Sequence, residues 1–565
     1  MDLNALRKQA QEDAQYFLEH DQEYRMGYIE AEKPHTLTRR LSQTYAQSME
    51  AGIKLLLSVD DEMAGRAAQT LAGEEYAVFA DKIRQTLKQG GKVVFSGCGS
   101  SGRLSMRLEQ SWRNAVAKLS AKYPQAKAAL EEKLEYVGNI MTGGDYAVIR
   151  AVESFEDSTL LGRAQAKIWN FCEKDLLVGV TATGETTSIL GTAAQALEDG
   201  ASVYMLICSD PKPLIEKMSR AKEVYGCPRC HVMSLPCGPM ALTGSTRMQS
   251  STFEQFAAAV ALEGALCDIL QSQRVAVEFP GYAWYGQQFK AMTEQLLEEK
   301  AVSLLAEASH YEQKVYENGG LITLFAEEYL LDVLTDTTER APTFMTPPFC
   351  SADMVGQPQS WAFVKNPNCD TEEAWVRCFL RQPNCIEWDK DTYEKLGLTQ
   401  RQIEKIPDIS GKALKRFIIG NEPNPERENC PSSHALWVDG KSAPETFRQQ
   451  AVRYASSSQL TLEDAGLNLP ETGMDMYEHI AIKLMLNTLS TGVMARLGRI
   501  DGNWMTCLAM SNKKLVDRSA RIVCDLCKVP YEVALEELYY AKAVTEAQGI
   551  LRSPAQEAIR TLGMK

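Results

Sequence analysis

The sequence predicts an α/β protein of two doubly wound parallel-sheet domains, each a three-layer αβα unit, with helical segments at both ends. Three observations predict it. Short apolar strands alternate with helical segments, the pattern of a parallel sheet covered on both faces. The layout of GGKVVFSG (90–97) returns at GGLITLF (319–325), again after a helical segment, so the chain reads as a divergent internal duplication. Its 565 residues, 45% hydrophobic and 24% charged, suit several globular units rather than a disordered chain or a fibre.

Residues 1–75 are expected to be helical, because apolar positions recur at helical spacing through LSQTYAQSMEAGIKLLLSV without a β-branched run. From about residue 76 the rhythm changes, and the first sheet domain is expected over 76–275. Its strands are GGKVVFSG, EYVGNIM, DLLVGVTAT (175–183), ASVYMLICS (201–209) and a short CHVMSLPC after a turn, with helices such as TSILGTAAQALEDG between them. The second domain is expected over 276–505 and a helical tail over 506–565. NEPNPERENCPSSH (421–434), rich in Pro, Asn and charge, reads as a surface loop.

A formal charge of −14 argues against general nucleic-acid binding, yet leaves room for a local cationic pocket. The start, MDLNALRKQAQEDAQ, has no apolar run of a secretory signal. Glu263 and Lys483 interrupt the most apolar helical windows, so no membrane span is expected. The 15 cysteines then read as reduced thiols of a cytoplasmic protein. Cys227 and Cys230, with His231 and Cys237, and the pair Cys524 and Cys527 have zinc-like spacing. They fall on a predicted strand and a predicted helix, so they read as inert thiols, and no metal or cofactor is expected.

Two turns carry the chemistry. GCGSSGR (97–103) follows a strand and opens a helix, so free N–H groups, Ser hydroxyls and the helix dipole favour an anion there. It has neither the lysine of a nucleotide P-loop nor the spacing of a dinucleotide turn, and a plain tight turn is the simpler alternative. TATGETTS (181–188) repeats the arrangement with Thr hydroxyls, with simple N-capping as its alternative. Both turns lie at carboxyl ends of strands, where open parallel sheets bind ligands. Together they suit a phosphate monoester.

These two loops resemble the sugar isomerase (SIS) domain, whose loops hold a sugar phosphate. The resemblance implies phosphate contacts from Gly99, Ser100, Ser101, Thr181, Thr183, Gly184 and Thr186. GPMALTGSTRMQSSTFEQ (238–255) closely resembles the signature shared by N-acetylmuramic acid 6-phosphate etherases and the glucokinase regulatory protein, which implies Ser245 as a further substrate or phosphate contact. Met240 and Gln249 depart from that signature, which has Glu and Lys there. AVESFEDS (151–158) resembles the etherase segment with a catalytic Glu, here Glu156. TDTTERAPTF (335–344) resembles the motif with the other catalytic Glu, here Glu339, a position that falls on Ser111 in the first half. NTLSTGVMARLGRIDGNWM and SNKKLVDRSARIV extend the likeness, the latter offering Lys514 as a cation.

The resemblance implies an internal pseudo-dimer with one composite site. The first half supplies the loops and Glu156, and the second supplies Glu339 and Lys514. The reciprocal site, with Glu327 and Glu328 in place of a Gly/Ser turn, would be inactive. The implied activity is an etherase-type lyase acting on N-acetylmuramic acid 6-phosphate, with Glu156 as base and Glu339 as acid. A sugar-phosphate-sensing regulator of a sugar kinase is a second reading, because the regulatory protein carries both Glu positions without turnover. A sugar-phosphate aldose–ketose isomerase, suggested by the G-E-T loop, is a third. The expected partner in each is a phosphorylated hexose or amino sugar.

Overall fold

A computed structural model of the chain describes residues 3–354, 356–510, 512–549 and 552–563. Strands β1 (Val93–Gly97), β2 (Val137–Met141), β3 (Leu176–Val180), β4 (Ser202–Ile207) and β5 (Cys230–Ser234) form a parallel sheet in the order β2-β1-β3-β4-β5. Strands β6 (Ile322–Phe325), β7 (Ala362–Lys365), β8 (His434–Asp439) and β9 (Ser456–Thr461) form a second in the order β7-β6-β8-β9, the same winding without a fifth strand. β1 to β3 are buried at every position, which is why they read as continuous apolar runs rather than alternating ones. The α/β class and the doubly wound, helix-covered sheets are as the sequence predicts.

Each sheet is entered from a helical hairpin, Met49–Leu71 with Glu74–Lys88 before β1 and Tyr282–Leu296 with Glu299–Glu317 before β6. Each half ends its sheet with a long central helix, Gln249–Ser272 and Met476–Arg496, buried over most of its length. The charges that interrupt these helices tie the halves together. Glu263 accepts from the Met474 N–H (2.6 Å), and Lys483 donates to Thr252 Oγ1 (2.6 Å) and to the Arg247 carbonyl (2.8 Å). The two chain ends make one cap. Helix Leu3–His20 packs on helices Lys513–Cys527 and Tyr531–Gln548 through Ala14, Phe17, Val516, Leu535 and Leu538.

Among the described residues, no helix is long and apolar enough to cross a membrane, and no group of three or more His, Cys, Asp or Glu could hold a metal. Cys230 opens β5, while Cys524 and Cys527 lie in helix Lys513–Cys527. Ser511, the first residue of the SNKKL segment, lies outside the described residues.

Candidate functional site

A cavity of about 450 Å³ opens where the carboxyl ends of β1 and β3 face the second half and the terminal cap. The β1 turn is shaped by glycine. A Cβ on Gly97 would lie 2.3 Å from the Ser101 carbonyl, and one on Gly102 would lie 2.1 Å from Met141 Sδ, so strand and helix pack as close as backbone allows. Helix Gly99–Lys122 therefore starts two residues past the strand, with Gly99, Ser100 and Ser101 on the cavity wall. N–H groups of a helix's first turn have no partner within the helix, which makes such an end a site for oxyanions. The Ser101 hydroxyl itself turns back to donate to Glu254 (3.2 Å), a carboxyl that burial pushes well above its usual range.

The β3 turn places Thr181, Thr183 and Thr186 on the same cavity. Thr181 and Thr186 share a hydroxyl–hydroxyl bond (2.9 Å) that closes the loop. Glu185 is buried just behind the cavity wall, accepting from Arg220 (2.9 Å) and lying 3.5 Å from Lys514 Nζ. Burial works to raise its pKa, but the charges of Lys514 and Arg220 outweigh burial and hold it below the usual carboxylate range. Lys514 reaches the cavity from the cap and donates to Glu156 Oε1 (3.2 Å). Removal from water opposes its charge, yet Glu156 and Glu185 keep it protonated, above the usual lysine range.

Glu156 and Glu153 stand one turn apart on the short helix Glu153–Glu156, and both line the cavity. Glu153 accepts from Asn512 Nδ2 (3.3 Å). Partial removal from water, reinforced by the negative Glu156, pushes it up to about 7. Phe155 between them is fully buried and stacks against Trp388 of the second half, with ring centroids 6.1 Å apart.

Glu339 arrives on helix Leu330–Phe344, which is stapled across the halves by a charge ladder. Asp332, Asp336 and Glu339 share one helical face, and each takes an arginine from the first half. Arg107 pairs with Asp332 (3.1 Å), Arg247 with Asp336 (2.7 Å) and Arg103 with Glu339. Arg103 and Arg107 are themselves one turn apart on the helix that opens with the β1 loop. The signature arginine, Arg247, thus acts as an interface staple, also donating to Asn487 (3.0 Å) and Thr491 (3.0 Å).

Of the expected site residues, Glu156, Glu339, Gly99, Ser100, Ser101, Thr181, Thr183, Thr186 and Lys514 line this one cavity. Gly184 and Ser245 are not among the residues that line it. Gly184 (φ +77°) turns the loop with its Cβ position against Leu214 and Tyr225, away from the cavity. Ser245 is buried in a tight turn, its N–H donating to the Leu242 carbonyl (2.9 Å). Sequence reasoning missed Arg103, Glu153, Arg340 and Trp361, all on the cavity. The ladder could have been found: acids at i, i+4 and i+7 face arginines at i and i+4.

Residues 77–197 match the family model of the glucokinase regulatory protein N-terminal SIS domain. Among curated relatives, the N-acetylmuramic acid 6-phosphate etherase of Photorhabdus laumondii is 30% identical over 214 residues, 38% of this chain and 62% of that protein. The etherase of Vibrio campbellii is 32% identical over 181 residues, 32% of this chain and 51% of its own. The chain thus spans between half and two thirds of the length of these relatives. Among solved structures, tagatose-6-phosphate ketose/aldose isomerase from Escherichia coli aligns over 80% of this chain and 95% of its own at 7% identity, with a TM-score of 0.36. The chain carries a SIS-type fold. Its sequence is related to the etherases over about 38% of its length, and to the glucokinase regulatory protein's N-terminal SIS domain over residues 77–197.

Proposed function

We propose that the cavity binds a phosphorylated amino sugar and that the chain is an etherase-type lyase. It would cleave the lactyl ether of N-acetylmuramic acid 6-phosphate to N-acetylglucosamine 6-phosphate and lactate. The observation that carries this reading is the meeting of Glu156, from one half, and Glu339, from the other, on a single cavity with both hydroxyl-rich turns.

In this reading the two turns take the phosphate. Glu156 removes the proton at C2 of the open-chain sugar, which the C1 carbonyl acidifies, and Lys514 stabilises the negative charge that develops. The C3–O bond breaks, C2=C3 forms, and the departing lactate oxygen takes a proton. Glu339 is engaged by Arg103, so its role is to accept from a sugar hydroxyl, and Glu153, pushed up to about 7, supplies the proton. Water then adds at C3 and a proton returns to C2, so the net reaction is hydrolysis of the ether. The test is lactate release from N-acetylmuramic acid 6-phosphate by the purified protein, lowered by about 10²–10⁴-fold in Glu156→Gln.

The match of residues 77–197 to the regulatory protein's domain favours a second reading, a sugar-phosphate sensor that binds a sugar kinase. It takes precedence if no lactate appears while fructose 6-phosphate binds and alters affinity for a co-purified kinase.

A further inference from the structure

We infer that the second-half end of the cavity is a second oxyanion subsite, taking a carboxylate or phosphoryl group carried by the ligand away from its first phosphate. The inference rests on reading the β1 and β3 turns as the cradle of that first phosphate.

Buried polar groups in folded proteins nearly always have partners, so an orphan on a cavity wall marks something the cavity takes. Among the described residues, Arg340 Nη2 and Ser360 Oγ have none, although the two residues are only 2% and 3% exposed, and both line this cavity. They occupy one corner. Arg340 donates to Glu312 (2.7 Å), Tyr316 follows Glu312 by one helical turn, and the Tyr316 ring packs on Trp361 (5.1 Å), the neighbour of Ser360.

Beside Arg340 lie two further arginines, Arg427 and Arg499, with no carboxylate partner among the described residues. Arg427 is fully buried and donates to the carbonyls of Ser360 (2.6 Å) and Ile322 (2.5 Å) and to Thr323 Oγ1 (3.1 Å). Arg499 lies over Trp361 (5.2 Å) and donates to the Phe344 carbonyl (3.2 Å). Of the acids on Arg340, Asp336 is shared with Arg247, and burial pushes Glu312 above the usual carboxylate range. A guanidinium with a free N–H beside a hydroxyl recognises an oxyanion better than a neutral sugar hydroxyl, because charge-assisted hydrogen bonds are the stronger ones. Arg340 follows Glu339 directly in sequence, so the second anion would sit just beyond the sugar.

The test is calorimetric titration of the full chain with glucose 6-phosphate, 6-phosphogluconate and glucose 1,6-bisphosphate. The expected result is tighter binding, by about tenfold, of at least one doubly anionic probe. Which probe gains tells whether the subsite takes a carboxylate or a phosphoryl group. Ser360→Ala should reduce the gain and Arg340→Met abolish it, with glucose 6-phosphate affinity unchanged in both. Ser360→Ala carries the test if Arg340→Met does not fold. Equal affinity for all three probes, or a gain that survives Ser360→Ala undiminished, overturns the inference alone. Failure of all three to bind overturns the sugar-phosphate reading and the inference with it.

Discussion

The carboxyl ends of β1 and β6 occupy equivalent places in two sheets of the same winding, and they have gone opposite ways. After β1 the chain reads Cys-Gly-Ser-Ser-Gly, and the helix starts at once with Gly99, Ser100 and Ser101 on a cavity wall. After β6 it reads Ala-Glu-Glu-Tyr, and the helix starts only at Leu330. There the Ala326 N–H is taken by the Lys365 carbonyl (3.1 Å), Glu328 by Lys118 (3.3 Å) and Glu327 by Arg377 (3.3 Å). Asp439 at the end of β8 is pushed up to about 6 by burial and by those two acids. A duplicated fold therefore does not imply a duplicated site. One copy keeps the Gly/Ser turn on the cavity, and the other keeps the helix that brings Glu339 and its ladder of acids to the first copy's arginines.

The sharpest way to break this comparison is to remove a group from the side assigned the chemistry. Glu156→Gln should lower lactate release by about 10²–10⁴-fold, the usual contribution of a positioned base, while phosphate binding persists. Retained turnover would mean the working carboxylate lies elsewhere.

The next largest effect tests the division of labour through the ladder. Arg103→Met leaves Glu339 without its ion-pair partner at a largely buried interface. It should cost about 3–5 kcal/mol of stability, read as a lowered midpoint in denaturant unfolding. The same change at Arg377, paired with Glu327 at the exposed second-half turn, should cost less than about 1 kcal/mol. Equal losses would remove the distinction between the two halves.

A smaller effect concerns pH. Glu153 must be protonated to act as donor, and a carboxyl raised to about 7 loses its proton as pH rises through that value. The kcat/KM profile should therefore fall on its alkaline side near 7. Glu153→Gln should flatten that limb and lower the rate by about tenfold or more. A limb unchanged in Glu153→Gln would return the donor role to Glu339.

Much of this was legible in the sequence, and the reasons for the exceptions are physical. Strand positions and both turns follow from local pattern, because a short apolar run ending in Gly and Ser has few other conformations. Glu156, Glu339 and Lys514 came from resemblance, and they line one cavity only because the halves interlock. Arg103 was out of reach as a single residue, since its meaning lies in an acid more than two hundred positions later. Gly184 turns its loop at φ +77° off the cavity wall, and in sequence such a glycine looks the same as one that faces a ligand. NEPNPERENCPSSH reads as a surface loop, yet it carries the fully buried Arg427, whose partners, backbone carbonyls and the Thr323 hydroxyl, no composition reveals.

The smallest effect sharpens the comparison most. Glu327→Ser with Glu328→Gly would give the β6 turn a composition closer to that of β1. Both acids are half-exposed and held only by surface ion pairs, so stability should change by no more than about 0.5 kcal/mol in thermal unfolding. Phosphate stoichiometry in calorimetry should stay at one per chain. The turn would still begin its helix several residues late, Asp439 would still add negative charge, and the matching position on the opposite helix is Ser111, which accepts from Arg107 (3.2 Å) and offers no carboxylate. A second phosphate bound by this variant would show that loop composition alone makes the site, and that the geometry of the helix start, which separates the two halves here, is secondary.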